Sequence, residues 1–204
     1  MQSCIAFYVC YIATILPLNF VPETAIASGE IVVSWIDAVI VAVFLQVTGV
    51  RLIPLLSVGA RSLRLTALAA ALLVPVIFAN LLYHGYLEQW LDVEAGGYLM
   101  PFTNEGYSLW TAIVYIAVMP AVVEEIAFRG LIQTQLGKVV KPSEALVLTA
   151  VLFAIIHVSV FSGIYLFALG LLLGFLRQRS GSLVPGITLH FLHNLAIVLI
   201  EHSG

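Results

Sequence analysis

Seven apolar runs, each near the length that crosses a bilayer, dominate this chain. They are Ser3 to Phe20, Ile31 to Val50, Leu65 to Tyr83, Leu109 to Leu136, Ser143 to Phe161, Ile164 to Leu176 and Leu183 to Ile200. An α-helix of about 20 apolar residues traverses the hydrocarbon layer, and in lipid every backbone N–H and C=O has to find its partner inside a helix or a closed barrel. The pattern therefore predicts an all-α, polytopic membrane helix bundle of about seven transmembrane helices. Composition agrees, with 62% hydrophobic and 9% charged residues against roughly 25% charged in a soluble domain. The first run lacks a positively charged start and exceeds the ~7 to 15 apolar residues of a signal peptide, so it is read as a membrane helix. The sixth is short, and Gly170 and Gly174, four residues apart within it, allow another backbone to approach closely. The 204 residues leave room for one compact helical domain and none for a separate soluble catalytic module.

Charge placement predicts orientation. Arg51, Arg61 and Arg64 follow the second run, Lys138 and Lys141 the fourth, and Arg177 and Arg179 the sixth, so all three groups face one side. The opposite loops hold Glu23, Glu30, Glu88, Asp92, Glu94 and Glu105 without Lys or Arg, which places the N-terminus in the cytoplasm and the C-terminus outside. Residues 85 to 108 are expected to form a longer, amphipathic loop at the interface, where Tyr86, Trp90 and Tyr98 suit the headgroup depth. A net charge of −3 without a basic cluster excludes a nucleic-acid partner. Cys4 and Cys10 share the first run without CxxC spacing and read as small packing residues.

One basic residue remains, Arg129, in the stretch "AVVEEIAFRG" with Glu124 and Glu125. Ionisable groups at membrane depth are costly and are retained chiefly for function. His157 in "FAIIH" and His190, His193 and Asn194 in "HFLHN" join them. Counted from the cytoplasmic ends of their helices, Glu124, His157 and Asn194 all lie about 20 Å deep at 1.5 Å per residue, with His190 one turn nearer the cytoplasm. Glu125 and Arg129, at i and i+4, share a helix face and can form a buried ion pair, which leaves Glu124 facing another neighbour. A carboxylate of that kind suits general acid–base chemistry. His190 and Asn194 also share a face and can both donate into one cavity, whereas His193 points aside and reads as structural.

The three motifs, EExxxR in "EEIAFR", FxxxH in "FAIIH" and HxxxN in "HFLHN", resemble in order and spacing those of the CAAX protease and bacteriocin-processing (CPBP or Abi) family of glutamic-type intramembrane endopeptidases. The resemblance covers about residues 107 to 200. It implies a four-helix catalytic core at 107–204, preceded by N-terminal helices at 1–106, and peptide-bond hydrolysis without an obligatory metal or other cofactor. In such enzymes the residues corresponding to Glu124 and His157 activate a water, those corresponding to His190 and Asn194 stabilise the oxyanion, and those corresponding to Glu125 and Arg129 shape the site. The implied partners are the lipid bilayer and a membrane-embedded or lipid-anchored peptide, processed at a C-terminal tail or a leader. The implied location is a prokaryotic cytoplasmic membrane.

Other classes compete. A zinc-dependent membrane protease could draw ligands from Glu124, His157, His190 and His193, although HExxH is absent and Asn194 would ligate poorly. No GxSG stretch supports a serine mechanism, and Asp37, the sole aspartate in an apolar run, has no partner Asp for an aspartic one. A proton-relaying transporter would show repeats or broken helices, and neither stands out. A non-enzymatic scaffold or immunity protein on the same fold would tolerate Glu124→Ala.

Overall fold

A computed structural model describes residues 2–92, 97–159 and 161–203. Among these residues the chain is helical, with no strand. Helix α1, Gln2–Ile15, runs on through the 3₁₀ turn Leu16–Phe20, and α2, Ile26–Thr48, ends on the left-handed Gly49 (φ 66°). A glycine there carries no Cβ penalty. Then come the short α3, Leu52–Leu55, the long α4, Ala60–Leu91, and the short α5, Leu99–Asn104. The remaining helices are α6, Leu109–Leu136, α7, Pro142–Ile156, α8, Gly163–Ser180, and α9, Val184–Ser203.

Each of the seven apolar runs thus forms a helix, but only α1, α2, α4, α6 and α9 are long and apolar enough to cross a membrane. Among the described residues five helices are candidate spans, and the expected count of seven is not confirmed. The difference lies in α7, which has 15 residues, and in α8, whose last turn carries Arg177 and Arg179. These two pack on each other more extensively than any other pair of helices. Helix α7 also stops at Ile156, short of the expected Phe161, and Val158 follows with φ 49°. That is a costly conformation for a β-branched residue. The expected loop at 85–108 is partly helical, because α4 continues to Leu91 and α5 follows. Tyr86, Trp90 and Tyr98 are exposed there, while Glu94 lies outside the described residues.

Helix α6 occupies the centre. One side meets α2, and the other meets α7, α8 and α9. The main apolar core joins α1, α2, α6 and α7 through Phe7, Tyr11, Val41, Phe128, Phe153 and Ile156. Outward faces carry Trp35, Val39 and Val43 on α2 and Val74 and Phe78 on α4, a surface that suits lipid and would be unfavourable in water. The chain is an integral membrane helix bundle.

Helix α6 is not a uniform α-helix. It widens to π geometry over Ile113–Val118, returns to α at Met119–Glu124, and widens again over Glu125–Ile132. Pro120 lacks the N–H that would bond the Ile116 carbonyl, and its ring would collide with that carbonyl in a regular helix. The first π segment relieves the collision, and Asn194 Nδ2 donates to the Ile116 carbonyl at 3.0 Å. The second carries Glu125 and Arg129 on a face that is buried throughout.

Candidate active site

Glu125 and Arg129 are fully buried, and Arg129 Nη1 donates to Glu125 Oε1 at 2.8 Å. Arg129 Nη2 donates to the Gly170 carbonyl at 3.1 Å, and one turn on, Gln133 Nε2 donates to the Gly174 carbonyl at 3.2 Å. The four-residue spacing of Arg129 and Gln133 on α6 therefore matches that of Gly170 and Gly174 on α8. Both glycines sit against α7, where a Cβ on Gly170 would lie 3.1 Å from Ala150 Cα and one on Gly174 2.5 Å from Leu146 Cδ1. The Arg129 guanidinium also lies 4.4 Å above the Phe153 ring, a favourable cation–π distance.

His190 on α9 stands between the two glutamates. Its Nδ1 is 3.4 Å from Glu125 Oε1 and its Nε2 is 4.0 Å from Glu124 Oε2. Glu125 reaches this position because residue 186, one turn before His190, is glycine. A Cβ at Gly186 would fall 2.7 Å from Glu125 Oε2.

Glu124 differs from its neighbour. Its side chain is 17% exposed, against 0% for Glu125, and among the described residues no arginine pairs with it; Oε2 lacks a hydrogen-bond partner in both glutamates. Glu124 borders a cavity of about 40 Å³ lined by Tyr11, Ser34, Asp37, Met119, Pro120 and Val123, enough to hold a water.

His157 caps the end of α7, and its Nδ1 is 2.8 Å from the Phe153 carbonyl. A carbonyl only accepts, so Nδ1 carries the hydrogen and Nε2 of the neutral ring is left as an acceptor. The Phe153 ring is 4.9 Å from the His157 ring and 6.1 Å from the His190 ring. One aromatic side chain thus joins His157, His190 and Arg129. Among the described residues no hydrogen bond links His157 to Glu124.

Asn194 belongs to a chain of hydrogen bonds whose direction is fixed at one end. Since Nδ2 donates to the Ile116 carbonyl, Oδ1 is the acceptor for His193 Nδ1 at 2.9 Å. The neutral ring of His193 then accepts from Tyr165 Oη through Nε2 at 2.8 Å. His193 is buried, and its bond to Oδ1 holds the Asn194 amide in this orientation.

Sequence reasoning gathered Glu124, Glu125, Arg129, His157, His190 and Asn194, and the fold brings all six into one region. It did not find the parts played by Phe153, Gln133, Tyr165, Gly186 and Asp37. The i+4 repeat of Arg129 and Gln133 against Gly170 and Gly174 was a readable signal for one of these. Among the described residues no three His, Cys, Asp or Glu side chains converge as a metal ion would need.

Residues 106–196 match the family model Rce1-like, described as type II CAAX prenyl endopeptidase Rce1-like. Over this segment the chain is similar to that family. No curated protein and no solved structure matches the chain. The Rce1-like segment takes in α6, α7, α8 and most of α9, so every motif residue above lies inside it. The family's description names a CAAX prenyl endopeptidase, and the match falls on helices of an integral membrane protein. Helices α1, α2 and α4 lie outside the match.

Proposed function

We propose that this protein is an intramembrane endopeptidase that hydrolyses a peptide bond near the membrane anchor of its substrate, with residues 107–204 as the catalytic core. The observation that carries this reading is the unequal fate of two consecutive glutamates. Glu125 is committed to Arg129, while Glu124 is uncommitted and faces a histidine and a water-sized cavity.

Water bound at Glu124 is the nucleophile. Glu124 takes one proton from it, assisted by His157 Nε2, which the Phe153 carbonyl leaves as an acceptor. The water oxygen bonds to the scissile carbonyl carbon, and the carbonyl becomes an oxyanion. His190 Nε2–H and the second Nδ2 hydrogen of Asn194 donate to that oxyanion. Collapse of the intermediate breaks the C–N bond, and the proton held by Glu124 passes to the leaving amine. In donating to the oxyanion His190 carries a hydrogen on both ring nitrogens, so that Nδ1–H is turned toward Glu125, and Arg129 fixes Glu125.

The substrate is a membrane-anchored peptide that reaches the site sideways between helices. A prenylated C-terminal CAAX tail fits the family's description, and a bacteriocin leader or other anchored tail presents the same backbone. The basic loops face the cytoplasm of a prokaryotic cell. Mass spectrometry of membrane-protein termini, comparing wild type with Glu124→Ala at equal expression, tests the reading. Specific termini that vanish in the variant support it, and identical profiles replace it with a non-enzymatic scaffold.

A further inference from the structure

The cavity beside Glu124 has a second carboxyl group on its wall, Asp37 of α2, which is buried. Asp37 lies outside the Rce1-like match and in none of the sequence motifs. Its Oδ1 is 2.6 Å from Thr14 Oγ1, and the same hydroxyl oxygen is 2.7 Å from the Tyr11 carbonyl. A threonine hydroxyl has one hydrogen, and the Tyr11 carbonyl can only accept one. With that hydrogen directed to Tyr11, the short contact to Asp37 is completed by a hydrogen on the Asp37 carboxyl group. An O···O separation of 2.6 Å is ordinary for such a bond.

We propose that Asp37 is the proton-bearing partner of Glu124: a neutral carboxylic acid, seated on Thr14, that lines the same cavity as Glu124 and holds the one proton the two groups have between them. Two carboxyl groups on one cavity in a nonpolar setting cannot both ionise cheaply, and one shared proton is the usual settlement. Asp37 is then a positioning residue. It keeps Glu124 ionised and able to accept a proton from water, while its own proton prevents a second negative charge at the cavity. Exchange of that proton through a cavity water creates and consumes no charge, so the step balances without a further reactant. The charged and titratable groups around the pair are Tyr11 on α1, His190 on α9, and Glu125 and Arg129 on α6. The inference rests on the role proposed for Glu124, and it gives the N-terminal helices a part in the site.

The test is infrared spectroscopy of the full chain in liposomes, following the C=O stretch of protonated carboxyl groups from mildly acidic to mildly alkaline pH. If Asp37 and Glu124 share a proton, Glu124→Gln moves the titration midpoint of the remaining acid, and Asp37→Asn does likewise, each by about one pH unit or more, the mark of coupled sites. If each single substitution deletes its own band and leaves the other midpoint unmoved, the two acids are independent and the proposal fails. Thr14→Val supplies a second route should Asp37→Asn fail to fold: loss of the hydroxyl lowers the Asp37 midpoint if it accepts from the protonated acid, and a raised midpoint, the mark of a hydroxyl that donates to the carboxylate, overturns the proposal. None of these measurements requires cleavage. Coupled midpoints alongside unchanged membrane-protein termini in Glu124→Ala would keep the pair and discard the protease.

Discussion

Glu124 and Glu125 are adjacent in the chain and opposite in circumstance. Glu125 lies fully buried against an arginine, with His190 and the slot at Gly186 closing around it, whereas Glu124 is partly exposed and borders a cavity without a cationic partner of its own on α6. The comparison separates two ways of keeping charge inside a membrane. One group is neutralised by a fixed partner and serves architecture. The other has no such partner, and on the proposed function it is the group left to react.

The sharpest way to break this contrast is to remove each group's neighbour in turn. Arg129→Met strands a buried carboxylate, so thermal unfolding in detergent should show a loss of about 3 to 5 kcal/mol. Glu124→Gln should leave that transition within ~1 kcal/mol, as expected away from a structural network. The same variant should reduce cleavage by about 10² to 10⁴, the usual contribution of a general base. Equal destabilisation by both variants would abolish the distinction.

Gly186→Ala puts a methyl group 2.7 Å from Glu125 Oε2. The expected cost is about 1 to 3 kcal/mol, as for other overpacked sites, and it should appear in stability before activity. His193→Phe preserves an aromatic ring against Tyr165 and removes the donor to Asn194 Oδ1. Its loss in kcat should be smaller than the roughly 10² to 10³ of deleting an oxyanion donor outright, with a stability loss of about 1 to 3 kcal/mol from the stranded Tyr165 hydroxyl and Asn194 oxygen.

The smallest effect belongs to a carboxylate outside the membrane spans. Glu105 accepts from Ser28 Oγ and from the Ser28 and Ala27 backbone N–H groups at 2.6 to 2.9 Å, and these bonds hold its carboxyl group below the usual range. A depressed value means that the clasp contributes stability above the unfolded carboxylate range and loses it as pH falls through the folded value. Unfolding measured against pH should therefore show a shallow acid-side decline that Glu105→Gln flattens.

Much of this arrangement was legible because membrane burial makes polar residues conspicuous. Glu124, Glu125, Arg129, His157, His190 and Asn194 stand out against apolar neighbours, and a common depth follows from counting along helices. Azimuth was less legible. The 100° rotation assumed for α6 ignores two π segments, and Pro120 was their only visible sign. Asp37 was noticed in the sequence but set aside for want of a second aspartate, when the carboxyl group across the cavity is a glutamate on another helix. The count of seven spans is not confirmed, since α7 is short and α8 carries two arginines in its last turn.

The brevity of α7 bears on the supply of the second reactant. Its 15 residues rise about 22 Å, and the hydrocarbon layer is about 30 Å thick. A helix this short ends inside the layer unless the layer thins around it, and the exposed polar backbone beyond its end must be buried in protein or wetted. His157 stands at that end. Hydrolysis consumes one solvent molecule per turnover, and the place where the bilayer is least able to exclude solvent is the place where this chain sets its histidine.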